Sequence, residues 1–67
     1  MKLYIKTENA AFGNGEQMRE EIARILRVAA DEVARGNDRI TLWDMNGNVV
    51  GEARLNKDEA SRAFWNI

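Results

Sequence analysis

Apolar residues recur at two different periods along this chain, and the change of period divides it into elements. From residue 15 to 36, Met18, Ile22, Ile25, Leu26, Ala29 and Val33 return at steps of three and four. At 100° per residue they share a stripe roughly 100° wide, which predicts one long amphipathic helix lying on a core. Glu20, Arg24, Arg27, Asp31 and Arg35 take the opposite side as a solvated face. Glu20–Arg24, Arg27–Asp31 and Asp31–Arg35 are opposite charges four apart, each worth about a few tenths of a kcal/mol. Asn14 is the candidate N-cap, with Gln17 placed to complete a capping box. Gly36 is the candidate left-handed stop, followed by the turn residues Asn37 and Asp38. One flank carries Ala23, Ala30 and Ala34, which favour the helix and are small enough to admit a second one.

On either side of the helix the period falls to two. In residues 1–7, Leu3 and Ile5 alternate with Lys2, Tyr4 and Lys6, as in a half-buried strand. Residues 8–15 form a connection rich in turn residues, and Phe12 within it is expected to anchor against the start of the helix. Residues 39–55 predict a β-hairpin around Asp44-Met45-Asn46-Gly47-Asn48. Two turns compete there. An Asn46-Gly47 type I′ turn sets Trp43 opposite Val50; a type I turn opened by Asp44, with Gly47 left-handed, sets Trp43 opposite Val49. Aspartate first and glycine fourth favour the second.

The expected architecture is α+β, in the order β-α-β-β. A three-stranded antiparallel or mixed sheet carries the long helix on one face, followed by a short C-terminal helix or arm. Ile40 and Leu42 join Leu3 and Ile5 beneath the helix, so Trp43, Tyr4 and an outward valine, Val49 in the favoured register, mark the opposite face. A contiguous cluster of these side chains would be an apolar patch of the kind that marks a binding surface. Residues 56–67 predict a helical tail. Asn56-Lys57-Asp58-Glu59 reads as a capping box, Ala60, Ala63, Phe64 and Ile67 share a side, and Trp65 lies next to them. The tail can close over its own sheet or cross to a second copy.

Composition narrows the chemistry. A 67-residue chain forms one domain near the size at which a single core is barely adequate, and small domains gain stability from disulfides, metals or self-association. With no cysteine and no histidine, disulfides, thiolate metal sites and the commonest general base are excluded. No cofactor is expected, and self-association, as a homodimer, becomes the expected supplement. Ten basic against eleven acidic residues give a net charge of −1, without the basic stripe that duplex binding requires. Nothing resembles a membrane span or a secretory signal, so a cytoplasmic protein is expected.

Ser61 is the only serine and has no histidine to activate it. Glu20/Glu21 and Asp58/Glu59 are adjacent carboxylates with no sign of the buried, convergent setting that acid–base catalysis uses. Asp44, Asn46 and Asn48 lack the glutamate and helices of a calcium loop. Gly13-Asn14-Gly15 lacks the lysine of a phosphate loop. No catalytic or metal-binding residue emerges.

The segments MKLYIKTENAAFG, EIARILRVAADEVARG and DMNGNVVGE together resemble a group of short uncharacterised proteins encoded by bacterial phages and prophages. The resemblance covers about residues 1–55, and the tail extends beyond it. It implies a non-enzymatic accessory protein acting by protein contact in the host cytoplasm, among which are inhibitors of host defence such as anti-CRISPR proteins. The interaction surface it suggests is Tyr4, Trp43, Val49, Phe64 and Trp65. The alternative is a single-stranded nucleic-acid module, with Tyr4 and Trp43 stacking bases near Lys2, Lys6, Arg39 and Arg54.

Overall fold

The computed structural model describes residues 1–55. Strand β1 (Lys2–Ile5) leads through a single turn of 3-10 helix at Ala10–Phe12 into helix α1 (Gly15–Ala34). Strands β2 (Arg39–Trp43) and β3 (Val49–Arg54) follow as a hairpin. The fold is α+β with a fully antiparallel sheet in the order β1-β3-β2. β3 is therefore central, and the connection through α1 carries the chain across it from one edge strand to the other. The expected C-terminal helix, residues 56–67, lies outside the described residues.

Phe12, Ile25, Ala29, Ile40, Leu42, Val50 and Ala53 are buried between α1, the 3-10 turn and one sheet face, with Ile5, Met18, Ile22 and Val33 packed around them. Phe12 is fully enclosed and acts as a core anchor. Two residues assigned to this core depart from expectation. Leu3 and Leu26 stay 40% and 42% exposed, because α1 lies nearer to β2 and its buried stripe is centred on Ile25 and Ala29. The helix face rotates accordingly, and Glu21 is buried in Leu26's place.

The helix ends also separate into one expectation met and one missed. Gly36, at φ 95°, closes α1: its N–H donates to Val33 O and the Asn37 N–H to Glu32 O, both at 3.0 Å, which is the double-bonded Schellman ending. At the start, the Asn14 side chain makes no capping bond. Gln17 does not complete a box either; its Nε2 donates to Ala11 O at 3.1 Å, tying α1 to the 3-10 turn. The ion pairs form at three-residue spacing, Glu21–Arg24 and Glu32–Arg35, instead of the four-residue pairs expected.

The hairpin adopts the favoured turn. Gly47 takes φ 82°, its N–H donates to Asp44 O at 3.1 Å, and the Asp44 N–H donates to Asn48 O at 2.8 Å. Trp43 pairs with Val49 and Leu42 with Gly51, so Val50 is an extra residue in β3. This bulge sends Val49 outward and Val50 into the core. Gly51 serves the central strand differently. A Cβ on it would lie 1.9 Å from the Tyr4 carbonyl oxygen, so β1 can pair here only with glycine.

Gly51→Ala is expected to destabilise the protein by about 1–3 kcal/mol through backbone overpacking and to loosen Lys2–Lys6 in amide exchange. Gly15→Ala, whose added Cβ meets nothing within 4 Å, is expected to be neutral or to stabilise by up to about 1 kcal/mol. Chemical denaturation of both variants checks the contrast.

Candidate interaction surface

The face turned away from α1 is built in cross-strand rows, since residues paired across antiparallel strands point to the same side. At one end Lys2, Arg54 and Arg39 stand side by side. The middle row is Tyr4, Glu52 and Thr41, and the far end is Val49 beside Trp43. Trp43, Val49 and Tyr4 are 53%, 57% and 59% exposed. Trp43 and Val49 form one apolar site, which Met45 extends at the hairpin tip. Tyr4 does not join it. It stands on the other edge strand, about 10 Å away by strand spacing, with Glu52 and Thr41 between. The expected single cluster is thus two apolar stations flanking a polar row. Phe64 and Trp65 lie outside the described residues.

Glu52 Oε1 lies 2.8 Å from Arg54 Nε and 3.4 Å from Arg39 Nε. Solvated pairs of this kind contribute at most about 1 kcal/mol. Their consequence is in the field instead: three cations face one carboxylate, so this face is locally basic on a chain whose net charge is −1.

A buried polar lock holds Trp43 from behind. Glu21 accepts Arg24 Nε at 2.7 Å and Arg24 Nη2 at 2.9 Å, and it also accepts the Met45 backbone N–H at 2.7 Å. Arg24 Nη2 donates to the Trp43 carbonyl at 3.0 Å. Asp44, between these two backbone positions, is buried and accepts the N–H groups of Asn46 and Asn48, both at 2.9 Å. Asn9 Nδ2 and Asn48 Nδ2 reach the same carboxylate at 3.0 and 3.2 Å. Helix, loop and hairpin tip thus converge on residues 43–45, and the exposed indole projects from a braced backbone.

The lock corrects the expectation that no carboxylate is buried. The Arg24 guanidinium hydrogen-bonded to Glu21 is the largest influence on that carboxyl and, with the Met45 N–H, outweighs burial to hold it below its usual range. Burial works most strongly against the charge of Asp44, yet the combined hydrogen bonds of Asn48, Asn9 and Asn46 hold this carboxyl down as well. Both stay ionised and engaged, which suits bracing and opposes general-acid chemistry. Glu21, Arg24 and Met45 also line a shallow cleft of about 340 Å³ with Ala11, Gln17 and Glu20. Among the described residues no cluster of acidic side chains could hold a metal ion, and no helix is long and apolar enough to cross a membrane.

Sequence periodicity missed Glu21 because it treats every acidic residue as solvent-facing. The available signal was its position one turn before Ile25, inside the buried arc. Comparison with protein-family models, curated proteins and solved structures finds no match to this chain.

Because the folded-state values of Glu21 and Asp44 are depressed, the unfolded chain takes up protons first as pH falls. The stabilisation is complete above the ordinary carboxylate range near pH 4 and is lost as pH drops through the depressed values. Glu21→Gln is expected to lower Tm at neutral pH and to flatten the loss of Tm on acidification. Parallel wild-type and variant curves in thermal unfolding down to about pH 2 would contradict the lock.

Proposed function

We propose that this chain is a small non-enzymatic protein that acts by protein–protein contact through the uncovered sheet face. One observation carries this conclusion: Trp43 and Val49 are exposed side by side while the backbone beneath them is fixed by Glu21, Arg24 and Asp44. A large aromatic on a preorganised backbone loses little conformational freedom on binding, and such residues dominate interface energetics. The basic row at Lys2, Arg54 and Arg39 favours an acidic surface on the partner, and screened charges of this kind raise association rates.

The same face is suited to a second copy of the chain. Stacked head to tail, two copies set the cationic row of one over the aromatic end of the other, where guanidinium and indole attract. A homodimer is the form in which a 67-residue chain covers apolar surface its own fold leaves open. The resemblance to phage and prophage proteins, over about residues 1–55, supports an accessory role in the host cytoplasm, binding and blocking a host component such as a CRISPR system.

Trp43→Glu is expected to remove self-association while leaving the helical circular dichroism signal unchanged. Sedimentation velocity over a wide concentration range measures this; the same association state in wild type and variant would overturn the assignment of the face.

A second reading is favoured by the same basic row. Lys2, Arg39 and Arg54 beside Tyr4 provide phosphate contacts and a stacking platform, the requirements for a single-stranded nucleic acid. Oligonucleotide binding that weakens steeply with added salt, and that is lost in Tyr4→Ala, would replace the protein partner with this one.

A further inference from the structure

A second uncovered apolar surface lies on the same side of the sheet as α1. The inner row Leu3–Ala53–Ile40 runs across the three strands. Ala53 and Ile40 are buried, whereas Leu3 at the β1 end is 40% exposed. α1 therefore roofs the β2 side and leaves the β1 side open. The flank of α1 that bears Val28 faces the β2 edge, where Val28 lines a depression with Leu42 and Trp43. Leu26 is about 160° around the helix from Val28, so it overlooks the open side, and it is 42% exposed. Ala30 and Ala34 continue that flank and are also exposed. Leu3 below and Leu26 beside it form an apolar trough along β1.

We propose that this trough is the docking site for residues 56–67 of the same chain. The exit of the chain points there. Leu55 is fixed by its N–H to Asp38 O at 2.7 Å, and by strand alternation it follows inward Ala53 and outward Arg54 onto the inner side. At this end of the sheet the outer face presents Lys2, Arg54 and Arg39, a poor seat for an apolar segment; the inner face presents Leu3. Ala60, Ala63, Phe64 and Ile67 recur at helical steps. A twelve-residue helix is about 18 Å long, enough to run the length of β1 antiparallel to α1. Ala30 and Ala34 allow the close interaxial approach of about 8 Å. The chain then forms a second helix beside the first over a split β-α-β sheet. Phe64 and Trp65 become part of the fold, and the outer face remains free whichever partner it takes.

The natural chain has no cysteine, so cross-linking tests this in the full-length protein. Leu26→Cys with Phe64→Cys is expected to oxidise to an intramolecular disulfide many-fold faster than Tyr4→Cys with Phe64→Cys. Faster closure of the Tyr4 pair would place the tail on the outer face and overturn the proposal. Disulfide-linked dimers from the Leu26 pair would assign the trough to a second copy and overturn it equally. A second measurement is independent of cysteine geometry. In full-length Trp43→Phe, Trp65 fluorescence is expected to be shielded from acrylamide, and adding Leu26→Lys is expected to expose it. Quenching of Trp65 equal to that of the unfolded chain would overturn the proposal.

Discussion

One helix cannot cover both faces of a three-stranded sheet, and the described structure follows from that constraint. Burying α1 against one face uses Ile25, Ala29, Ile40, Leu42, Val50 and Ala53 and commits every alternate strand residue to the other face. Trp43, Val49 and Tyr4 are therefore outside because their neighbours are inside. A one-residue slip of the hairpin would reverse this. Asp44 and Gly47 prevent the slip by imposing a type I turn with a left-handed fourth residue, and the bulge at Val50 resets the alternation so that Val49 accompanies Trp43 outward.

The polar lock serves the same arrangement. A short hairpin protruding from a small core would ordinarily be a mobile tip. Here Glu21 and Arg24, one turn apart on α1, hold the backbone at Met45 and Trp43, while Asp44 accepts hydrogen bonds from the turn and from Asn9. Burying carboxylates is costly unless they are fully hydrogen-bonded, and these two meet that condition. The result joins three sequence-distant segments at the point where the largest exposed aromatic emerges. Rigidity at that point distinguishes an interaction anchor from a solitary exposed tryptophan, which needs no explanation on a surface.

Much of this was legible in the sequence wherever the cause is local. The helical period, the Gly36 stop, the Asp44–Gly47 turn and the outward Trp43 all follow from side chains acting on their own neighbourhood. What was hidden depends on how elements approach one another. Placing α1 nearer to β2 exposed Leu26 and Leu3 and buried Glu21, and no periodicity encodes that lateral offset. Glu21 also drew Arg24 away from Glu20. Gly51 and Ala53 did hold a clue to the central position of β3, since small side chains let a neighbouring strand approach, but a hairpin reads the same whichever strand lies in the middle. Tyr4's separation from Trp43 follows from that order.

The described face and the trough divide the remaining apolar surface between two roles, one outward and one internal. The most direct measurement of the outward role is an amide-resolved NMR dilution series on the full-length protein. If the uncovered sheet face is the adhesive surface, concentration-dependent shifts will gather on Tyr4, Thr41, Trp43, Val49 and Glu52 and spare Glu20, Arg27 and Asp31 on the solvated face of α1. Shifts gathering on that helix face, or spectra that do not change with concentration, would contradict it.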